Sequence, residues 1–576
     1  MVTFSSPSAR IRATAVAAIP SRVNAGFAGR SRLHARPTRR GSAQFVLRCP
    51  QHLVDLEIHE PLGPGSGKIA SVNHVLCGLA ANTALPSELV DRLIAIADAD
   101  IAADLAGRAD LSHAQAIALV SRVEDCAERL AFEGRLTAAD IDPAAQPHAA
   151  LALLHEGVGR PEWARLLAAD PLVEHREKLA ACPGLPSDVV ELLAADSDIR
   201  VVAELALRAT PDLASRLAEH PHAEVRRAVA ANEATPSAVL AALATGEGLP
   251  PVQRCLVCDR EETPFVHDPQ CARLDCDLLP GASCDGSHES TVHDTQQAVL
   301  RNPATPTKAV IGFADHPSTL LRWALAARPD LPSEVCGRLS VDGTPSVRAD
   351  LAENPAIDEA LIRVLVGDHG HEVRRRLAHN PNVPLDVLTG LAGDARIGAT
   401  LLPRIAAASP MEVAELAKSP NPAVRMLLAQ RRDLPAEIRD ALAADPDAKV
   451  VTSIAGHAGL SEARLRTMVD RHGARVLAKM ATNPDATPAL LEHLTRHQPP
   501  VQKALREVAR HRNATAPALL VCLADERARP IAAGHPALPP RVIVELLTDA
   551  DWRVVETAAA NPSLPPAVMS DLVPQL

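Results

Sequence analysis

The side chains best equipped for chemistry lie in one short stretch. Cys255-Leu256-Val257-Cys258 is followed by Cys271, Cys276 and Cys284 and then by His288 and His293, so residues 249–294 carry five of the eleven cysteines. A Cys-x-x-Cys pair on a tight turn supplies two thiolates to one metal ion, and further donors complete a tetrahedral shell. In a reducing compartment this spacing points to metal rather than to disulfides. The stretch has neither helical nor strand periodicity and is rich in Asp, Pro, Gly and Thr, so it lacks an apolar core of its own. A structural zinc contributes on the order of 10–16 kcal/mol in small sites, enough to order a compact knuckle. The candidate metal ligands are therefore Cys255, Cys258, Cys271, Cys276 and Cys284, with His288 as a substitute. Zinc is the expected metal and an iron–sulfur cluster the alternative.

The other cysteines (Cys49, Cys77, Cys126, Cys182, Cys336 and Cys522) are scattered through helical segments, where an isolated cysteine packs as a small apolar residue. No GxSxG elbow, Walker loop or HExxH occurs, and the paired carboxylates fall in repeated turns, so no catalytic constellation is expected. The formal net charge of −11 argues against a general nucleic-acid binder. No run approaches the 18 or so uncharged apolar residues that a membrane helix needs. A cytoplasmic location is expected.

What must hold the cysteine stretch is a repeat. In His371 to Arg396, HEVRRRLAHNPNVPLDVLTGLAGDAR, Val373 and Leu377 share one face of a short helix. Asn380-Pro381 ends that helix, because proline disfavours the α conformation in the residue before it. Pro384 suits the first turn of a second helix, whose stripe is Val387, Leu388 and Leu391. Neither helix can bury its stripe alone, so the unit must stack on copies of itself. Pro303, Pro329, Pro355 and Pro381 recur at intervals of 26 residues. Arg431, His457 and Asn483 occupy the place of Asn380, as do His535 and Asn561. Upstream the same place is taken by Asn82 and Arg108, by Glu156, Cys182 and Arg208, and then by Asn232. The next such position, Asn302, comes 70 residues after Asn232, and the excess is the cysteine insertion.

Matched and inferred positions give about eighteen units, which at about 8–10 Å per helix layer make a curved path on the order of 150 Å. Tyrosine is absent and aromatics are 2% of residues, which suits thin helical layers. Residues 1–50 contain nine arginines and no Asp or Glu, a composition resembling a transit peptide and expected to be a disordered tail. Residues 51–70 read as a linker, 71–248 as the first run of repeats, 249–294 as the metal-type insertion and 295–576 as the second run. The units between Asp110 and Ala169 are the least regular. Thr235-Pro236, Thr305-Pro306 and Thr487-Pro488 are expected helix entries with threonine as N-cap. An acid-then-arginine pattern (Asp198 with Arg200, Glu224 with Arg226, Glu372 with Arg374, Asp551 with Arg553) suggests a charged ladder between units.

Two resemblances follow from these residues. Cys284-Asp285-Gly286-Ser287-His288 resembles the core of the CDGSH iron–sulfur proteins, whose cluster is held by three cysteines and one histidine. Here Cys271 and Cys276 are five apart where that family has Cys-x-Cys, and Ala282 stands where it has proline. The repeat itself, in Val373–Asp394, Val347–Asp368 and from Val554 onward, resembles the leucine-rich-repeat variant family. That resemblance implies an all-α, right-handed superhelix in which α-helices alternate with 3₁₀-helices, the near alternative being HEAT-type repeats with two full α-helices. Some members carry a four-cysteine, four-iron domain ahead of the repeats, whereas here the cysteines interrupt them. The expected function is a non-catalytic scaffold that binds a protein partner and no small-molecule substrate. The alternatives are a metal- or redox-responsive regulator and a HEAT-like nucleic-acid binder.

Overall fold

The computed structural model describes residues 45–49, 52–56, 67–256, 289–394 and 397–575. Two units are separated, Met1–Leu62 and Gly63–Leu576. Within the first, strands Phe45–Cys49 and His52–Leu56 pair antiparallel, with Phe45 opposite Leu56 and Cys49 opposite His52. Residues 45–49, expected in a disordered tail, and 52–56, expected in a linker, are instead strand. The rest of residues 1–50 lies outside the described residues.

The second unit is helical. Its first helix, Gly67–Ala81, begins inside the stretch assigned to the linker. Thirty-five α-helices are described, and pairing them in order yields eighteen units, in one of which Ala127–Phe132 has no helical companion. That unit lies in the irregular region between Asp110 and Ala169. Both members of a pair are α-helices; 3₁₀ turns occur among the described residues only at Glu124–Cys126 and Ile311–Asp315. The alternation of α with 3₁₀ implied by the resemblance is therefore not what these residues adopt.

The unit around Asn380 shows why the sequence folds this way. Val373 and Leu377 are fully buried in helix His371–Leu377, and Leu388 and Leu391 are buried in Leu385–Asp394. Between them the Asn380 amide donates to Ala352 O (3.0 Å) and Asn354 O (2.7 Å) of the preceding unit, while its oxygen accepts from Asn382 N (2.8 Å). The carbonyls it reaches are ones that a helix C-terminus leaves without an intrahelical partner. Asn232, Asn354, Asn483 and Asn561 do the same to the units before them. So do Arg108, Arg328 and Arg431 through Nη1, and His457, His511 and His535 through Nε2. The place tolerates Asn, Arg or His because its requirement is an N–H donor in a buried site. Glu156, in the irregular region, is a poor substitute, as is Cys182 just beyond it, whose Sγ reaches Leu151 O only at 3.7 Å.

A second ladder runs beside the first. Arg176, Arg322, Arg348 and Arg425 each bond bidentately an aspartate twenty residues on (Asp196, Asp342, Asp368 and Asp445), with Nε···O distances of 2.6–2.7 Å. Each also donates through Nη1 to a carbonyl six residues back, at 2.6–2.7 Å. The ladder foreseen in the acid-then-arginine pattern thus uses other residues. Asp198–Arg200 and Asp551–Arg553 are local exposed pairs, and Glu224 and Glu372 pair with Arg227 and Arg375. Arg226 and Arg374 instead bond the backbone carbonyls of His220 and Asp368.

The stack has no free ends. Helix Gly67–Ala81 packs against Trp552–Ala559, the first helix of the last unit, as neighbouring units pack elsewhere. Asn82 donates to Ala559 O (2.9 Å) and Asn561 O (2.8 Å), repeating the ladder geometry across the two ends of the array. Arg92 donates to the carbonyls of Val573 and Pro574. His74 stacks on Trp552, with ring centroids 4.8 Å apart. The approach is close enough that a Cβ at Gly78 would overlap the carbonyl oxygen of Glu556 and lie 2.7 Å from the Ala559 Cβ. The curved path inferred from sequence therefore returns to its origin.

Candidate functional site

The insertion leaves the array after helix Ser237–Thr245, which ends on Gly246 at φ +76°, a left-handed cap that glycine adopts without strain. The array does not register its departure. Asn302 donates to Ala230 O (2.8 Å) and Asn232 O (2.9 Å), the bonds it would make if residues 249–288 were missing. Helix Glu289–Arg301 packs directly on Ala223–Ala231.

Of the predicted metal ligands, the structure places one. Cys255 is 1% exposed, at the end of a segment that runs back along the start of Ala223–Ala231. Gln253 N donates to Pro221 O (2.9 Å), Ala223 N donates to Arg254 O (2.9 Å), and His222 and Arg254 form a parallel bridge. Arg226 ties the same strands together, donating through Nε to His220 O (2.6 Å) and through Nη1 to Pro250 O (2.8 Å). Cys258, Cys271, Cys276, Cys284 and His288 lie outside the described residues. Among the described residues, no three His, Cys, Asp or Glu side chains converge as a metal shell would require.

Beside Cys255 stand two histidines that sequence reasoning missed. His220 Nδ1 accepts from His222 N (3.1 Å), and His222 Nδ1 accepts from Glu224 N (3.1 Å). A neutral ring whose Nδ1 accepts carries its proton on Nε2. Burial, with His222 nearby, pushes His220 below the usual imidazole range, which keeps it neutral at physiological pH. A signal was available in the repeat alignment. Asp170, Asp196, Asp342, Asp368, Asp445 and Asp549 occupy one column, and His220 and His316 replace the aspartate ahead of the helices Ala223–Ala231 and Thr319–Ala326. Like the aspartates, each histidine accepts the backbone N–H two residues on, His316 from Ser318 N at 3.0 Å. What neither ring can do is accept a guanidinium.

The scattered cysteines are packing residues. Cys77, Cys126, Cys182, Cys336 and Cys522 are buried, and burial pushes the thiols of Cys126 and Cys182 up to about 11 and that of Cys522 to about 12. Thiols held protonated in this way are poor nucleophiles and poor ligands.

These features define a helical second unit built from many repeated helix pairs. Compared with known proteins, the chain matches no family model and no curated protein. No described helix is long and apolar enough to cross a membrane.

Proposed function

We propose that the chain is a non-catalytic interaction scaffold, a right-handed array of the leucine-rich-repeat-variant or HEAT-like kind, carrying a structural zinc site in residues 249–294. The observation that carries this reading is the bonding of Asn302 to Ala230 and Asn232 across the insertion. A module that leaves its host array uninterrupted is mounted on it, and an array whose units touch only their neighbours offers rows of side chains to a protein partner. Cys255 and Cys258 begin the zinc site, and two of Cys271, Cys276 and Cys284, with His288 as a substitute, complete its tetrahedral shell. Elemental analysis of anaerobically purified protein should find zinc, and the Cys255→Ser, Cys258→Ser variant should lose it while keeping its helical circular dichroism. Affinity capture from the native host should recover a stoichiometric protein partner. Absence of both metal and partner overturns the proposal.

A second reading is favoured by one contact. Cys255 is seated against the Ala223–Ala231 helix rather than carried on a remote loop. Metal loading, or oxidation of an iron–sulfur cluster in its place, would then be felt by the array and could gate partner binding. A coloured, iron-containing preparation whose partner affinity changes with redox state would select this regulator over the zinc scaffold.

A further inference from the structure

Most first helices of the units carry a guanidinium neutralised by a carboxylate: Arg176 by Asp196, Arg200 by Asp198, Arg322 by Asp342, Arg348 by Asp368, Arg375 by Glu372 and Arg553 by Asp551, while Arg129, Arg226 and Arg374 bond backbone carbonyls. Three consecutive first helices break this rule. On Ala448–Ile454, Ala474–Met480 and Gln502–Arg510 stand Lys449, Arg475, Lys479, Lys503 and Arg506, none of which has an ion pair or side-chain hydrogen bond to any residue. Lys449, Arg475 and Lys503 are each the second residue of their helix, so the three form a row from unit to unit. All three are exposed, as is Lys479, whereas Arg506 is half-buried with its Nε unsatisfied. The helices pack in succession, Ala448–Ile454 on Ala474–Met480 and that on Gln502–Arg510. The only carboxylate on them, Glu507, is engaged by Arg510 at 3.3 Å. Residues 449–512 hold eleven Lys and Arg against five Asp and Glu, in a chain whose formal net charge is −11.

We propose that this row, formed by Lys449, Arg475, Lys479, Lys503 and Arg506, is the docking strip for an extended acidic peptide segment of a partner protein. The inference rests on the interaction-scaffold reading and names the chemistry of the partner. Successive rows lie one helix spacing apart, about 8–10 Å. A peptide in the extended polyproline II conformation has three residues per turn and rises about 3.1 Å per residue, so carboxylates at every third residue share one face about 9 Å apart and meet successive helices. A short segment feels only the strip, because charges beyond about 8 Å are screened at physiological salt. A long polyanion would run off the strip onto the surface of an acidic protein. The three helices carry no aromatic residue on which bases could stack, which further disfavours nucleic acid.

The test uses the full chain and two fluorescent probes, a short peptide with glutamate at every third residue and a duplex DNA, followed by anisotropy at physiological salt. The peptide should bind, should weaken as salt is raised, and should lose about tenfold in affinity in the Arg475→Ala, Lys479→Ala, Lys503→Ala variant. These side chains are exposed and unpaired, so the variant should keep the wild-type circular dichroism. Peptide binding that is absent, or unchanged by the triple substitution, overturns the strip, as does tighter binding of DNA than of peptide. A host partner captured equally well by the variant overturns the strip alone and leaves the scaffold standing, whereas loss of every host partner from wild-type protein removes the reading beneath it.

Discussion

The residue that recurs at the head of each turn is chosen for what it donates. Asn, Arg and His alternate there because each can place an N–H against carbonyls of the preceding unit. Histidine differs from the other two in that it titrates. Burial depresses both His457 and His535 below their ordinary range, so the folded state binds fewer protons than the unfolded one. The stability they contribute is then complete above about pH 6.5 and is lost as pH falls below it. At His535 protonation also sacrifices the bond that Nδ1 accepts from Ala537 N at 3.1 Å. The paired carboxylates act in a different window: Asp433, held at about 2 by Arg431, gives up its contribution only as pH falls from about 4 toward 2. The thermal midpoint of the wild type should therefore drop between about pH 7.5 and about pH 5.5. The His457→Asn, His535→Asn variant, which installs the commonest residue of that column, should drop clearly less. An equal fall in both proteins would show that these rings are not the sensors.

At the scale of elements, the helix pair was legible because its punctuation is local: Asn-Pro closes one helix and an apolar stripe marks the next. The entries were only partly legible. Thr487 does cap its helix, accepting from Leu490 N (3.2 Å), with Pro488 at the first helical position. Thr235 and Thr305 instead turn their hydroxyls back to donate to Val229 O (2.7 Å) and Val299 O (2.6 Å), and the proline takes the cap position. A hydroxyl can serve either end of the turn, and sequence does not say which carbonyl lies nearer. The cysteine spacing marked the insertion, but Cys255's seat on the array depends on backbone pairing with Pro221 and Ala223, which no spacing announces. Because Asn302 ignores the insertion, replacing residues 249–288 with a short Gly-Ser linker should leave helical circular dichroism and cooperative unfolding intact while abolishing metal content. A collapse of helicity on that deletion would mean the insertion is a structural joint rather than a mounted module.

At the scale of the whole helical unit, closure was invisible in the sequence. Period fixes how many units there are, but whether the last meets the first depends on a small rotation per unit summed over the array. Open arrays need polar terminal caps; here Leu76, Leu79 and Ala80 of the first helix are buried, and Gly78 admits the Glu556 carbonyl where a side chain would not fit. A cyclic order of this kind has no privileged beginning. The seam between Asn82 and Asn561 repeats the ladder bonds of the other junctions without a peptide link, so the chain could be opened elsewhere and joined here. Joining Pro574 to Gly67 through a flexible linker, with new ends beside the exposed Val341, should give a circular permutant of wild-type helicity and similar thermal midpoint. A permutant that fails to fold would show that one particular junction must form first, and that the order of synthesis is written into the circle after all.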